Sequence, residues 1–383
     1  MTTPSKAKGT ERYIVGEVPQ FNQKNEMFSR SRWDSSLGDL GRKLWAPQVP
    51  QEKRPGYTLP DYAFENAAWH VELSFAQGSV AGNYGLYSWD AKIWSVYGKP
   101  PTGMQLEADD PKKITQMIKK AARFFGASLV GIGQVARRWI YSHSHDLRTL
   151  IEAPIETPAE YKYAIVMGYE MDYDTVKLSP TRLHGGGVGI CYSRMAFAGS
   201  IMAQFIRGLG YKAIPIGNDT ALSIPLAIDA GLGELSRMGL LITPQFGPRV
   251  RVNKVLTNLP LIPDSPIEFG VWDFCSKCEK CARNCPGQAI KYGEPTAEIN
   301  NISNRRGLFR WPLNAEKCLG FFAQNHGDCS NCIRVCPFNK PPGPLHKTVR
   351  WGVKHARFLN PLFIRGDDLF GYGRQGKAAR YWD

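Results

Sequence analysis

The spacing of apolar residues becomes regular near residue 112, and helix and strand patterns alternate from there. KKITQMIKKAARFFGA predicts an amphipathic helix, because its apolar residues recur every three or four positions and Gly126 can end it. SLVGIGQV and YKYAIVMGYEM predict strands, since they are rich in β-branched and aromatic residues. SRMAFAGSIMAQFIRGLG predicts a helix, YKAIPIG a strand, and residues 222–247 a helix, a glycine break and a strand. This alternation predicts a layered α/β (α+β) domain.

The pattern divides the chain into four parts. Residues 1–110 begin with an extended, Pro- and Gly-rich wrapping segment and continue as an aromatic subdomain whose rings could line an apolar pocket. Residues 111–267 form the α/β core, 268–345 a cysteine-rich module and 346–383 a basic tail. The aromatic residues of the subdomain are Trp69, Tyr84, Tyr87, Trp89, Trp94 and Tyr97.

Composition narrows the class of protein. The 383 residues are 43% hydrophobic, without a run of eighteen apolar residues that would predict a membrane span. The N-terminal residues lack the charged and apolar regions of a signal peptide. The formal net charge of +14 is spread along the chain without a run of five like charges, so the sequence does not predict nucleic-acid binding.

Eight of the nine cysteines lie between Cys275 and Cys336, which indicates a metal site and not a disulfide scaffold. In modules that hold two 4Fe–4S clusters, the fourth cysteine of each run binds the other cluster. The spacing therefore predicts two crossed ligand sets. The first is Cys275, Cys278, Cys281 and Cys336, and the second is Cys285, Cys318, Cys329 and Cys332. Two zinc sites are the competing interpretation, although they would favour paired C-x₂-C units.

The second run departs from the regular spacing at one position. Three residues before Cys329 the chain has His326, so the sequence predicts that Cys318 supplies the missing ligand from farther away. His326 as the ligand, with Cys318 free, is the alternative.

The core offers glycines and a few polar residues as candidates for a site. HGGGVG at 184–189 lacks the spacing of a nucleotide-binding loop, and it would suit a large flat ligand that approaches the backbone. Tyr192, Asn218 and Arg251 stand at predicted element ends, where a half-buried tyrosine, a turn asparagine and a surface arginine are equally ordinary interpretations.

Several long segments resemble the respiratory reductive dehalogenases. The resemblance rests on FFGASLVGI, on the stretch from GNDTALSIPLAIDAG to CSKCEKCARNCPGQAI, on the second cysteine run and on FGYG at 370–373. It is strongest over residues 112–345. It implies a nitroreductase-like core that binds a corrinoid (cobalamin), followed by a ferredoxin-like module with two 4Fe–4S clusters.

The resemblance also implies roles for particular residues. Tyr192, Asn218 and Arg251 match the catalytic tyrosine, asparagine and arginine of the family, with Tyr192 as the proton donor and Arg249 as a second choice for the arginine. The expected corrinoid contacts are Gly186, Gly187, Gly231 and Gly233. Electrons are expected to enter at the Cys285 set and to leave from the Cys275 set.

Partners and location are further expectations from the resemblance. It implies an organohalide substrate, a membrane-anchor protein or quinol-linked electron donor, and a peripheral position on the outer face of the cytoplasmic membrane. The family's twin-arginine export signal is not found at the start, which predicts a mature or recombinant form. Two other functions stay open: an epoxyqueuosine reductase that acts on tRNA, and a two-cluster electron carrier. Cobalt content and turnover of a halocarbon would distinguish them.

Overall fold

The computed structural model describes residues 7–76, 85–90, 104–341 and 343–383. Tyr84, Trp94 and Tyr97 of the predicted aromatic subdomain lie outside these residues. The helices are α1 (Met27–Trp33), α2 (Leu40–Leu44), α3 (Leu59–Phe75), α4 (Pro111–Phe124), α5 (Tyr173–Lys177), α6 (Arg182–Gly208), α7 (Ser223–Asp229), α8 (Val271–Lys277), α9 (Lys280–Arg283), α10 (Ala315–Asn325), α11 (Asn331–Arg334), α12 (Pro344–His355) and α13 (Asn360–Leu369). The strands are β1 (Leu129–Gln134), β2 (His143–His145), β3 (Glu152–Pro154), β4 (Tyr163–Glu170), β5 (Ala213–Ile216), β6 (Glu234–Leu235), β7 (Leu241–Ile242) and β8 (Val250–Thr257).

A four-stranded sheet in the order β1-β4-β8-β5 forms the centre of the core. Each neighbouring pair in it is antiparallel, and Tyr163 of β4 faces Thr257 of β8 across the central ladder. The predicted mixed class is therefore confirmed, and its α+β form is the one observed. The sequence reading missed β8, because buried polar residues interrupt its run of valines.

Both faces of the sheet are buried. Along β4, Ile165 and Met167 pack on the side of α4 and α6, whereas Ala164 and Val166 pack on the side of α7 and the cysteine module. Consecutive strand residues point to opposite faces, so one strand serves two hydrophobic layers. The sheet thus connects the core to the cysteine module on one face and to α6 on the other.

Helix α6 is longer than the sequence predicted and packs closely along α3. Thr181 caps its start by accepting a hydrogen bond from the His184 backbone N–H at 3.3 Å. HGGGVG is therefore the first part of a helix and not a loop. Glycine weakens an isolated helix by about 1 kcal/mol per residue, so tertiary packing must offset this cost. The packing is visible at Gly186 and Gly189, where an added Cβ would lie 2.4 Å from the Phe64 ring and 2.5 Å from the Trp69 ring.

Helix α3 was not predicted, although the sequence carries a signal for it. Thr58 and Asp61 form a capping box, in which the Asp61 carboxylate accepts from the Thr58 backbone N–H at 2.9 Å. A threonine or serine three residues before an acidic residue is a known start signal. The aromatic residues of α3 and the weak separation of its polar and apolar faces obscured this start signal.

The two ends of the chain are tied to the core and the module. Thr10 donates to Asp229 at 2.8 Å, and Arg54 donates to Asn325 at 2.9 Å, so the N-terminal segment reaches both. The predicted C-terminal tail contains helices α12 and α13, and Lys280 of the module donates to the Tyr372 carbonyl at 3.1 Å. The domain boundaries remain a prediction. Within the described ranges, a helix of sufficient length and apolar character to cross a membrane is not found.

The two ends of α6 provide a test of the close packing. An alanine at Gly186 would place its Cβ 2.4 Å from Phe64, whereas one at Gly208 would have no atom of the described residues within 4 Å. We expect Gly186→Ala to lower the free energy of unfolding by about 1–3 kcal/mol because it overpacks the contact. Gly208→Ala should leave it unchanged or raise it by up to about 1 kcal/mol. Thermal unfolding followed by circular dichroism measures both, and equal melting temperatures for the two variants would contradict the packing argument.

Candidate functional site

A cavity of about 570 Å³ brings together the three polar residues that the sequence singled out. Tyr192 from α6, Asn218 from the loop after β5 and Arg251 from β8 all line it. They lie 26 and 33 positions apart in the chain (192 to 218, and 218 to 251). Antiparallel pairing of β5 with β8, and packing of α6 on the sheet, place them around one space.

Tyr192 lies in the middle of α6 and not at a helix start, since the glycine stretch before it is helical. Its hydroxyl oxygen accepts a hydrogen bond from Asn218 Nδ2 at 2.8 Å. Its ring stacks on Trp69 of α3, with the ring centroids 4.8 Å apart and the planes 23° apart. These contacts fix the ring and leave the tyrosine O–H group available on the cavity side.

Arg251 and the second-choice Arg249 have different surroundings. Arg251 lies over the Tyr192 ring at 5.6 Å from its centroid, and its buried Nε has no hydrogen-bond partner among the described residues. Arg249 is 1% exposed and donates to Glu170, Met171 and Asn339 at 2.5, 2.6 and 2.9 Å. Arg249 therefore joins two strands to the module, and Arg251 is the guanidinium that faces the cavity.

Buried ionisable groups surround the cavity. Burial, and then the nearby Asp219 carboxyl, raise the pKa of Glu72 to about 8. Burial also raises the pKa of Asp219, whereas Lys254 opposes that shift. Behind them, burial lowers the pKa of the Lys254 ammonium to about 7. The cavity wall therefore holds two carboxyl groups, Glu72 and Asp219, whose ionised form is disfavoured because burial removes water from them.

A second cavity of about 300 Å³ adjoins the first and shares Tyr141, Leu222 and Ile224 with it. Arg305 lines this second cavity, and burial lowers its pKa to about 10. Its buried Nε and Nη2 atoms have no partner among the described residues. Buried donors of this kind usually find an acceptor, so the second cavity is suited to a ligand with exposed oxygens.

The glycines that were expected to contact a corrinoid meet protein atoms instead. A Cβ at Gly186 would lie 2.4 Å from Phe64, and one at Gly187 2.1 Å from the Thr175 hydroxyl. At Gly231 and Gly233, it would lie 2.5 and 2.1 Å from backbone carbonyl oxygens. Close packing within the protein accounts for all of them, and a contact with a cofactor remains a prediction. Arg305 was not predicted from the sequence, because its unpartnered donors are visible only in three dimensions.

The electrostatic interactions between cysteine thiols of the module lie mainly within the two predicted groups, and the two ligand sets remain a prediction. The Cys281 pKa is raised by burial and by the neighbouring Cys275, Cys336 and Cys278 thiols. The Cys318 pKa is likewise raised by burial and by Cys329 and Cys285. Cys332 is affected by members of both groups, Cys281 among them, which indicates that the groups are neighbours. No three His, Cys, Asp or Glu side chains in the described part of the chain are arranged to hold a single metal ion.

The surroundings of the second cysteine group extend to the cavity. Asp328, next to Cys329, interacts electrostatically with Arg251. Ser330 of the same segment donates its backbone N–H to Ser179 at 2.7 Å, just before α6. The predicted order of electron transfer put the other group next to the site, and this order remains an untested prediction. His326 is exposed in a left-handed conformation at the end of α10, and it takes no part in the grouping of the thiols.

Comparison with known proteins identifies the module and the chain's relatives. Residues 274–340 match the family described as a 4Fe-4S dicluster domain, which confirms the iron–sulfur prediction over zinc. The chain is 37% identical to the tetrachloroethene reductive dehalogenase of Sulfurospirillum multivorans, over 90% of this chain and 73% of that protein. It is 34% identical to the protein of the same name from Dehalobacter restrictus, over 86% of this chain and 71% of that protein.

A solved reductive dehalogenase structure, whose description mentions B12-dependent dehalogenation, has the same fold. It superposes with a TM-score of 0.76 at 24% identity and covers 97% of this chain. The chain spans 49% of that protein's length. The epoxyqueuosine reductase of Bacillus subtilis matches only 29% of this chain, at 30% identity. The similarity to dehalogenases therefore extends over most of the chain, whereas the similarity to the tRNA-modifying enzyme covers 29% of it.

Cys318 and His326 make different predictions for iron content. We expect Cys318→Ala to lose about half of the iron, because one of two 4Fe–4S clusters loses a thiolate ligand. His326→Ala should keep all of it and serves as the matched control. Iron and acid-labile sulfide, assayed on anaerobically purified protein, measure the outcome. Loss of iron from the His326 variant alone would reverse the assignment.

Proposed function

The chain belongs to the reductive dehalogenase family, and we propose that it removes halide reductively from a small organohalide at the cavity around Tyr192. The observation that carries this proposal is the convergence of Tyr192, Asn218 and Arg251 on one cavity. In the overall reaction, a carbon–halogen compound takes up two electrons and one proton and gives a carbon–hydrogen bond and a halide ion. The two 4Fe–4S clusters of the module supply the electrons one at a time.

The residues around the two adjoining cavities fit a corrinoid. A corrinoid carries amide and phosphate oxygens at its periphery, and the unpartnered Nε and Nη2 of Arg305 are donors for such oxygens. Arg305 would hold the cofactor's periphery in the second cavity, and the first cavity would face the substrate. When bound, the corrinoid supplies a strongly reducing cobalt centre that can act on a carbon–halogen bond. The cofactors predicted from the resemblance, a corrinoid and two 4Fe–4S clusters, are those of the family.

Tyr192 is proposed as the proton donor. Tyrosine hydroxyls ordinarily carry their proton at neutral pH. Asn218 donates to the Tyr192 oxygen, so the tyrosine proton is free to leave toward the substrate carbon. After transfer, the phenolate oxygen keeps the Asn218 hydrogen bond, and the permanent positive charge of Arg251 near its ring favours the anion.

The relatives suggest the first substrate to try. Both curated relatives described above are named for tetrachloroethene, and they resemble this chain over most of its length. Apolar residues of the cavity wall, such as Leu240, Leu241 and Val250, suit a chlorinated hydrocarbon. We therefore propose a chlorinated ethene as substrate.

We also propose that the protein works at the outer face of the cytoplasmic membrane, beside a membrane-anchor protein or quinol-linked donor. Exposed apolar side chains on the C-terminal helices, Trp351, Leu362 and Leu369 among them, support an attachment surface. Residues 346–383 also carry eight Lys or Arg against three acidic residues. Fractionation of the native host measures the location, and recovery of the protein only in the cytosolic fraction would contradict it.

The proton-donor role is tested by Tyr192→Phe in the corrinoid- and cluster-loaded protein. We expect turnover of tetrachloroethene with reduced methyl viologen to fall by about 10²-fold or more, because general acid catalysis contributes at least that much. Cobalt and iron contents should stay the same. Tyr292→Phe, at a ring that is 51% exposed and outside the cavity wall, is the control. Unchanged turnover in Tyr192→Phe would exclude the role, and failure of the parent protein on a halocarbon panel would exclude the proposed function.

A further inference from the structure

A line of hydrogen bonds runs behind Tyr192 from a fully buried lysine. Lys254 of β8 is 0% exposed, and its Nζ donates to Ser223 Oγ at 3.0 Å and to the Gly217 carbonyl. Ser223 Oγ donates to Asn218 Oδ1 at 3.3 Å, and Asn218 Nδ2 donates to the Tyr192 oxygen at 2.8 Å. Lys254 is not part of the cavity wall, so it acts on the site through this line and through its electrostatic interaction with Asp219.

The direction of the line follows from the chemistry of its first member. In its protonated form, below its lowered pKa of about 7, Lys254 is an ammonium group with donors and no acceptor. The Ser223 oxygen then accepts from it. The single hydroxyl proton of Ser223 then points away from Lys254, toward Asn218. The Asn218 amide oxygen can accept a hydrogen bond from this hydroxyl. If the amide were reversed, its NH₂ group would face the Ser223 hydroxyl proton, which is also a donor, and would lie closer to the Lys254 cation. The amide of Asn218 is thereby oriented with its oxygen toward Ser223 and its NH₂ group toward Tyr192.

The orientation decides what Tyr192 can do. With the Asn218 NH₂ group beside it, the tyrosine oxygen accepts, and its own proton stays available for the cavity. With the amide reversed, the tyrosine would donate its proton to Asn218 Oδ1, and a phenolate would face a carbonyl oxygen. An asparagine alone can adopt either orientation, because its two ends are nearly the same size.

We propose that Lys254 and Ser223 are positioning residues, which hold the Asn218 amide so that it donates to Tyr192 and leaves the tyrosine proton for the substrate. The proposal rests on the proposed function in that it takes Tyr192 as the proton donor. Gly217 strengthens the arrangement, because its carbonyl takes a second hydrogen bond from Lys254 and fixes the residue before Asn218. The electrostatic interaction of Lys254 with Asp219 holds the residue after it.

Ser223→Ala removes the hydroxyl, and Ser223→Thr restores it. We expect Ser223→Ala to lower kcat about three- to tenfold, which corresponds to the loss of one neutral hydrogen bond of roughly 0.5–1.5 kcal/mol. KM should change little, because the substitution leaves the apolar residues of the cavity wall, such as Leu240, Leu241 and Val250, unchanged. Ser223→Thr should recover most of kcat. In a Tyr192→Phe background, Ser223→Ala should have no further effect, since the proton that the line directs is absent.

A second readout does not depend on turnover or on the corrinoid. With 3-fluorotyrosine placed at position 192, the ¹⁹F chemical shift reports the hydrogen bond to its hydroxyl. We expect the shift to move in Ser223→Ala and in Lys254→Met, and to return in Ser223→Thr. The exposed Ser265→Ala is the matched control, which should leave both the shift and kcat unchanged.

The outcomes separate this inference from the proposed function. If Tyr192→Phe loses turnover while Ser223→Ala keeps its kcat and its ¹⁹F shift, the positioning role is wrong and the proton donor stands. A loss of kcat in Ser223→Ala that Ser223→Thr does not recover also overturns the role, because it indicates a structural defect. If Tyr192→Phe keeps full turnover, the proposed donor is wrong, and the ¹⁹F shift alone then decides whether the line orients the amide.

Discussion

The close contact between helices α3 and α6 is the constraint on which the site depends. Glycine at Gly186 and Gly189 lets Phe64 and Trp69 of α3 reach the backbone of α6. The same approach brings the Trp69 ring onto Tyr192, which is one turn farther along α6. A helix with so much glycine is weak alone, and its stability in the fold comes from this contact. The glycines that weaken α6 as an isolated helix therefore also allow the contact with α3 that fixes Tyr192.

The central sheet also positions the site, because two buried polar residues of β8 form hydrogen bonds on its two faces. Asn253 and Lys254 are both 0% exposed in the central strand β8. Because consecutive residues point to opposite faces, Asn253 donates to the Met195 carbonyl of α6, and Lys254 donates to the Gly217 carbonyl of the loop that carries Asn218. Buried polar groups are costly unless they are paired, so these pairs hold α6 and the loop at defined positions on one strand. Helix α6, which carries Tyr192, and the loop that carries Asn218 are therefore both fixed to the same strand.

Local sequence signals predicted much of the fold and of the iron–sulfur module. The spacing from Cys275 to Cys336 was sufficient for the two-cluster prediction, because ligands on one turn are encoded locally. The predicted helix began only after HGGGVG, since the helical state of this stretch depends on Phe64 and Trp69 of another helix. Strand β8 was missed because the partners of Lys254 are distant in sequence. Tyr192, Asn218 and Arg251 were candidates from their positions at predicted element ends, but their catalytic roles were implied only by the resemblance, because their individual patterns are ordinary.

The distribution of arginines explains why charge alone was a poor guide to function. The net charge of +14 suggests an anionic partner, yet several guanidinium groups are buried and serve inside the protein. Arg249 binds three acceptors and joins strand to module, whereas Arg251 and Arg305 keep buried nitrogens without partners among the described residues. A folded chain rarely leaves such donors unsatisfied. Arg251 and Arg305 are among the five described arginines with unmet donors, and they line the two adjoining cavities, so their positive charge faces inward and not toward a partner at the surface.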